Sequence, residues 1–323
     1  MDISVVIPLL NEEESLPELE AWIRRVMEEH GFSYEIIMID DGSTDNSWSV
    51  IEELRTKNPA VKGVKFRRNY GKSAALHTGF RRTTGEVVIT MDADLQDSPD
   101  EIPDLYRLIT EEGYDLVSGW KKERFDSFIK NRTSKFFNAV TRWVSKIPLH
   151  DFNCGLKAYK GAVVRTIEVY GEMHRYIPLL AKWAGFTNIG EKVVRHQARK
   201  YGTTKFGLER FVNGFLDLMS IVFVGKFRKR PMHFFGTAGI LMFAAGALAT
   251  VYLGVNKAIH LYRNEQAQLI AENPFFFLAL TCLILGSQLF LAGFVAELVA
   301  RNAPGRNKYI IEADMTTTTE QEA

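Results

Sequence analysis

A chain of 323 residues with 46% hydrophobic side chains has enough apolar material for a large packed domain and an appendage, which excludes general disorder. The formal net charge of +1 averages over basic clusters at 121–132, 195–205 and 226–230, so charge has to be read locally and no nucleic-acid partner is expected. The two cysteines, Cys154 and Cys282, lie far apart in segments of different character, which excludes a disulfide framework and a CxxC metal site and suits a reducing compartment.

In chain order, Met1 to Leu10 lacks a basic leader and its apolar run is cut by Pro8, so it does not read as a secretory signal. The apolar runs Ile3 to Leu9, Glu35 to Ile39, Val61 to Phe66 and Glu86 to Met91 alternate with helical patterns. That alternation predicts an α/β domain built on a parallel sheet with crossover helices. Between the first two runs, Glu12 to Glu29 sets Leu16, Leu19, Ile23, Val26 and Met27 on one helical face. The turn Asp41-Gly42-Ser43-Thr44-Asp45 can cap a second helix, and equally can present carboxylates to a base and ribose. In such sheets ligands bind beyond the carboxyl ends of the strands, and Pro8, Asn11, Glu12 and Asp41 all fall there.

Arg68 to Lys72 follows the third strand and offers cations and backbone donors near a helix start, where an anion is favoured; Lys72 alone reads equally as a solvated helix residue. Asp92-Ala93-Asp94 follows the fourth. Side chains at i and i+2 share a face in extended chain, so both carboxylates can reach one ion, and hard oxygen ligands suit Mg²⁺ or Mn²⁺ bridging a diphosphate. Gln96 can add a carbonyl or position a water. Asp151, in Asp-Phe-Asn-Cys-Gly, can orient a sugar hydroxyl or serve as a turn residue, while Cys154 reads as a small packed residue. The basic stretch His196 to Lys205, with Arg199 and Lys205, suits a lipid phosphate or an anionic membrane surface.

From Phe206 to Val224 polar residues recur every three or four positions, as in an amphipathic helix lying on a membrane or packed on a soluble domain. Phe234 to Val255 and Pro274 to Ala296 carry no charge, and each is long enough to cross a bilayer. Basic residues flank both outer ends, which predicts a hairpin with its termini in the cytoplasm. The tail from Glu312 to Ala323 reads as unstructured. The expected division is therefore 1–205 catalytic domain, 206–232 interface helix and basic linker, 233–300 two transmembrane helices and 301–323 cytoplasmic tail.

The ordered motifs VVIPLLNEEESL, DDGSTD, RRNYGKSAALHTGF, GEVVITMDADLQDSP and DFNCGLK resemble family 2 glycosyltransferases of the GT-A (Rossmann-like) fold. Within that family they are similar to the polyprenyl-phosphate group, including bactoprenol glucosyltransferases and dolichyl-phosphate mannose synthase, over about residues 1–230. The resemblance implies an enzyme that transfers a hexose with inversion from a nucleotide diphosphate sugar, UDP-glucose first, to polyprenyl (undecaprenyl) phosphate; GDP-mannose or another lipid acceptor is the alternative. It implies nucleotide-sugar contacts by Pro8, Asn11, Glu12, Asp41, Lys72, Asp92 and Asp151, and metal contacts by Asp92, Asp94 and Gln96. Acceptor-phosphate contacts fall to Arg124, Arg132, Ser134, Arg199 and Lys205, with Asp94, Arg124 and Arg132 as the catalytic set. It also implies a cell-envelope role at the cytoplasmic membrane and a homo-oligomer such as a tetramer. Two departures stand out: His174 to Pro178 occupies the region where processive relatives carry QxxRW, and Lys157 stands where an Arg is frequent.

Overall fold

The computed structural model describes residues 1–122, 138–139, 141–143, 145–171, 173–197, 200, 231–263, 269–301, 309 and 311–316. Alternating apolar residues drive the sheet. β1 (Ile3–Leu9), β2 (Tyr34–Asp40), β3 (Val61–Phe66) and β4 (Val87–Thr90) are parallel, as their crossover pattern requires. In β2, Ile36 and Met38 face a core filled by α1 (Leu16–Glu29), α2 (Ser47–Lys57) and α4 (Ile102–Thr110), while Ile37 and Ile39 face α3 (Lys72–Phe80). The five apolar residues expected on the first helix face are all buried. On the opposite face, α3 is buried from Ser73 to Phe80, and its small residues let it sit close: a Cβ on Gly79 would collide with Val6.

The sheet is larger and more mixed than the four-run pattern predicts. Its order is β7-β5-β6-β4-β1-β2-β3-β8, adding β5 (Leu116–Trp120), β6 (Lys157–Lys160), β7 (Ile189–Val193) and β8 (Ile311–Asp314). β6 runs antiparallel between β4 and β5, and β8 runs antiparallel to β3. Two short helices, α5 (Gly161–Thr166) and α6 (Ile177–Trp183), complete this unit.

β8 corrects the expectation of an unstructured tail at 312–314; 317–323 lie outside the described residues. Its residues are polar enough to mislead, but each is answered in the fold. Asp314 accepts from Arg82 Nη2 at 2.6 Å, Lys65 meets Glu312 at 3.4 Å, Arg55 donates to the Met315 carbonyl, and the Met315 side chain packs on the core. The exposed sheet edge is covered as a result.

A second compact unit holds α7 (Pro231–Tyr262) and α8 (Pro274–Arg301), which pack on each other. Both contain stretches, Met232–Tyr262 and Pro274–Ala296, long and apolar enough to cross a membrane. Glycines make the helix contact: a Cβ on Gly239 would lie 2.7 Å from the Gly286 carbonyl, and one on Gly286 would lie 2.6 Å from Phe243 N. The outward residues are apolar and exposed, including Leu241, Leu248, Val251 and Leu291. A surface of that kind suits lipid and not water.

Candidate active site

The motif residues meet at the carboxyl ends of β1, β2 and β4, and hydrogen bonds sew their loops together. Beyond β1, Asn11 takes the left-handed conformation (φ 57), which a short amide side chain tolerates. Its N–H donates to Ser43 Oγ at 2.9 Å and its Oδ1 accepts from Thr44 N at 2.8 Å. Glu12 N donates to Ser47 Oγ at 2.9 Å, and the Glu12 carboxylate accepts from Ser15 Oγ at 3.2 Å. Pro8 lies within β1 opposite Ile39, where its missing N–H sits one residue before the strand ends. The Asp45 carboxylate accepts from Ser47 N at 3.0 Å, a turn bond just ahead of α2, whose N-cap Asn46 makes no side-chain cap bond.

The loops after β2 and β3 are just as tightly joined. Gly42 has φ 79, and a Cβ there would lie 2.6 Å from the Arg68 carbonyl carbon, so only glycine permits this approach. Asp41, buried, accepts from Tyr70 N at 2.7 Å and from Gly71 N at 2.9 Å. Burial pushes its pKa up; the two N–H bonds oppose this and neighbouring Asp40 adds to it. Each Asp41 oxygen keeps a further lone pair for a ligand donor. Asp40 Oδ1 accepts from Ser43 N at 2.8 Å, whereas its buried Oδ2 has no hydrogen-bond partner among the described residues.

This loop ends in Lys72, the first residue of α3, whose ammonium pairs with Asp92 just past β4. Burial would raise the pKa of Asp92, but Lys72, Lys121 and Lys157 outweigh it and pull the carboxyl down to about 2. The fit around Asp92 is close, because a Cβ on Gly155 would collide with its carboxylate. Asp94 is buried, and its Oδ1 accepts from Gln96 N at 3.2 Å across Leu95, which has φ 58. A leucine held in the left-handed region is strained by roughly 1–3 kcal/mol, and such strain persists where the surroundings impose it. The Gln96 carbonyl accepts from Gln197 N at 2.9 Å, tying the acidic loop to the segment that leads into the basic stretch.

Asp151 is buried; its Oδ1 accepts from Asn153 N at 3.0 Å and its carbonyl accepts from Ser118 Oγ at 3.2 Å, so it also organises its own turn. Arg124, Arg132, Ser134, Arg199 and Lys205, like the stretch 206–224, lie outside the described residues.

Four charged or titratable groups near the acidic loop have contacts that the sequence does not assign. Lys121 pairs with buried Asp97 at 2.6 Å; burial would depress the lysine, but Asp97 outweighs it and raises it. Burial raises Asp97 itself, against the pull of Lys121. Lys157 donates to the Cys154 carbonyl from a buried position, and burial depresses it. His174, half-buried, donates its backbone N–H to Ser73 Oγ at 3.0 Å and places Nδ1 3.1 Å from the same hydroxyl. The sequence marks Lys157 and His174 only as departures from family patterns, and nothing local signals that either lies beside the acidic loop. Cys154 is packed, and burial pushes its thiol up to about 12, as a structural cysteine requires.

Among the described residues no group of three or more His, Cys, Asp or Glu forms a metal cage. Asp92, Asp94 and Gln96 instead offer a few hard oxygens on one loop. That donor set fits a divalent ion that completes its shell with phosphate oxygens and water, the usual habit of Mg²⁺.

Comparison with known proteins places these features. The profile described as "Glycosyl transferase family 2" matches residues 4–167. The chain is 33% identical to dodecaprenyl-phosphate galacturonate synthase of Rhizobium johnstonii, covering 93% of this chain and 88% of the relative. It is 32% identical to undecaprenyl-phosphate 4-deoxy-4-formamido-L-arabinose transferase of Proteus mirabilis, over 96% and 93%. Among solved structures, glucosyl-3-phosphoglycerate synthase from Mycobacterium tuberculosis, in complex with phosphoglyceric acid, aligns with a TM-score of 0.52 at 21% identity, covering 69% of this chain and 79% of that one. The same enzyme with Mn²⁺, UDP and phosphoglyceric acid also gives 0.52, over 69% and 78% at 21% identity. At that identity the likeness is one of fold, a GT-A-type mixed sheet.

Proposed function

The chain belongs to glycosyl transferase family 2, and on that premise we propose that it transfers a hexose, with inversion, from a nucleotide diphosphate sugar to a polyprenyl phosphate at the cytoplasmic face of the membrane. Both curated relatives are named for polyprenyl phosphates, and the paired apolar helices suit an enzyme whose acceptor lives in a bilayer. The observation that carries the reading is the junction of three strand ends, where Asp41 holds the loop that delivers Lys72 to Asp92, beside Asp94.

In this reading Pro8, Asn11, Glu12 and Asp41 line the nucleotide, and Lys72 stands where a diphosphate oxygen would meet a cation beside a helix start. Asp94, with Asp92 and Gln96, would hold Mg²⁺ or Mn²⁺, which when bound offsets the charge that builds on the leaving nucleotide. Arg124, Arg132, Ser134, Arg199 and Lys205 would grip the acceptor phosphate. A phosphate oxygen is already anionic near neutral pH, so it attacks the anomeric carbon without a strong general base. Positioning and charge stabilisation then carry the rate. Asp151, buried beside Lys157, orients the sugar or the cations around it.

UDP-glucose is the first donor to try. The relatives' names add galacturonate and 4-deoxy-4-formamido-L-arabinose to the same screen. The test is transfer of radiolabelled sugar from a panel of UDP- and GDP-sugars to undecaprenyl phosphate in detergent, with and without Mg²⁺. Label in the lipid phase with at least one donor is expected. No transfer from any donor would overturn the reading in favour of a nucleotide-sugar-binding scaffold.

A further inference from the structure

The sheet-bearing unit carries two tryptophans that its fold does not use. Trp22 donates to Asp100 at 2.8 Å, Trp48 donates to Glu52 at 2.9 Å, and Trp120 stacks on His150 at 4.2 Å. Trp143 is instead 80% exposed and Trp183 41% exposed, and neither has a hydrogen-bond or ring partner among the described residues. The two stand on adjoining segments, because Lys182 donates to the carbonyls of Ser145 at 2.9 Å and Lys146 at 3.1 Å. Segments 138–150 and 177–188 contain the cations Arg142, Lys146 and Lys182 and no carboxylate.

Indole rings flanked by lone cations favour one environment above others. The ring sits at the headgroup boundary with its apolar body inward and its N–H wet, while Lys and Arg meet anionic lipid. A second protein copy would be expected to answer these cations with carboxylates. The chain also carries two helices of membrane-spanning length, so a bilayer is at hand. We propose that the surface bearing Trp143 and Trp183, with Arg142, Lys146 and Lys182, docks on the headgroup region of an anionic bilayer. This contact is additional to the apolar helices and brings the catalytic unit to a lipid-borne acceptor.

The five tryptophans of the chain are Trp22, Trp48, Trp120, Trp143 and Trp183, and none lies between Pro231 and Arg301. Tryptophan emission therefore reports on the catalytic unit alone. The full chain is placed in nanodiscs of phosphatidylcholine and phosphatidylglycerol held by a tryptophan-free scaffold protein, and in matched discs whose acyl chains are brominated near the headgroup. Emission of the wild type is expected to fall in the brominated discs, by up to the share of two tryptophans in five. The pair Trp143→Phe and Trp183→Phe, exposed changes that keep an aromatic ring, should abolish the difference, and Trp22→Phe should leave it. Equal wild-type emission in the two discs, or quenching that survives the double change, would overturn the proposal. No donor or acceptor is present in this measurement, so its failure is distinct from failure of the transfer assay.

Discussion

At the strand ends of the sheet, charge is packed inside: Asp41, Asp94, Asp97, Asp151 and Lys157 are all buried, each held by named neighbours. In the α7–α8 pair the arrangement is reversed, with glycine and alanine at the contact and leucine, valine and phenylalanine turned outward. The first region is stable because these five buried charges are answered, and losing one partner leaves an expensive orphan. The second tolerates its exposed surface only in lipid, and it depends on shape at a few glycines. The proposed function follows the same split: compensated charge is what a site for an anionic donor would need, while an apolar exterior would hold the protein at a lipid acceptor.

The largest effect that would sharpen this contrast is at Asp94. Asp94→Ala should cut transfer by on the order of 100- to 1,000-fold, the usual cost of removing a group that stabilises developing charge. Circular dichroism and membrane fractionation should be unchanged, and wild-type turnover in the variant would remove the metal site from the argument. Gly155→Ala comes next, because the new methyl collides with the Asp92 carboxylate. Overpacking costs about 1–3 kcal/mol, and if it falls on donor binding the KM for the nucleotide sugar rises roughly 10-fold or more. An unchanged KM would mean that Asp92 can move aside freely.

Gly286→Leu tests the other region. Its side chain meets the backbone of the facing helix, so resistance to unfolding in detergent should drop by about 1–3 kcal/mol, whereas Gly254→Ala meets no atom within 4 Å. The latter should shift stability by no more than about 1 kcal/mol, towards greater stability. Equal effects at the two positions would refute a glycine-mediated contact.

A pH experiment returns to the charged region. Burial, then Arg175, Lys72 and Lys157, hold the His174 imidazole neutral, well below the usual histidine range. The unfolded chain gains a proton near pH 6.5 and the folded chain only further down, so this stability is complete above about pH 6.5 and is lost as pH falls towards the folded value. The slope is at most about 1.4 kcal/mol per pH unit from this one group. His174→Gln should flatten the melting profile between about pH 6.5 and 5. A profile as steep as the wild type's would assign the acid sensitivity elsewhere. Asp92 cannot supply it in that window, because its pKa sits at about 2 and its pairing with Lys72 persists to far lower pH.

The amino-acid sequence alone determined the four parallel strands, the buried face of α1, the two apolar helices and the acidic residues at the strand ends. These are local properties: side-chain period, span length, and the position of a carboxylate just after an apolar run. Only the tertiary structure decided that both Asp41 oxygens clamp the loop before α3, that Lys72 meets Asp92, and that Gly155 closes over that carboxylate. It alone brought His174 to Ser73 and returned β8 to β3 from the far end of the chain. Such pairings join residues tens to hundreds of positions apart, and they depend on strand order and register, which no local pattern encodes. That is why the start of a polar tail could read as unstructured and yet, once Arg82, Arg55 and Lys65 were in place beside it, become the last strand of the sheet.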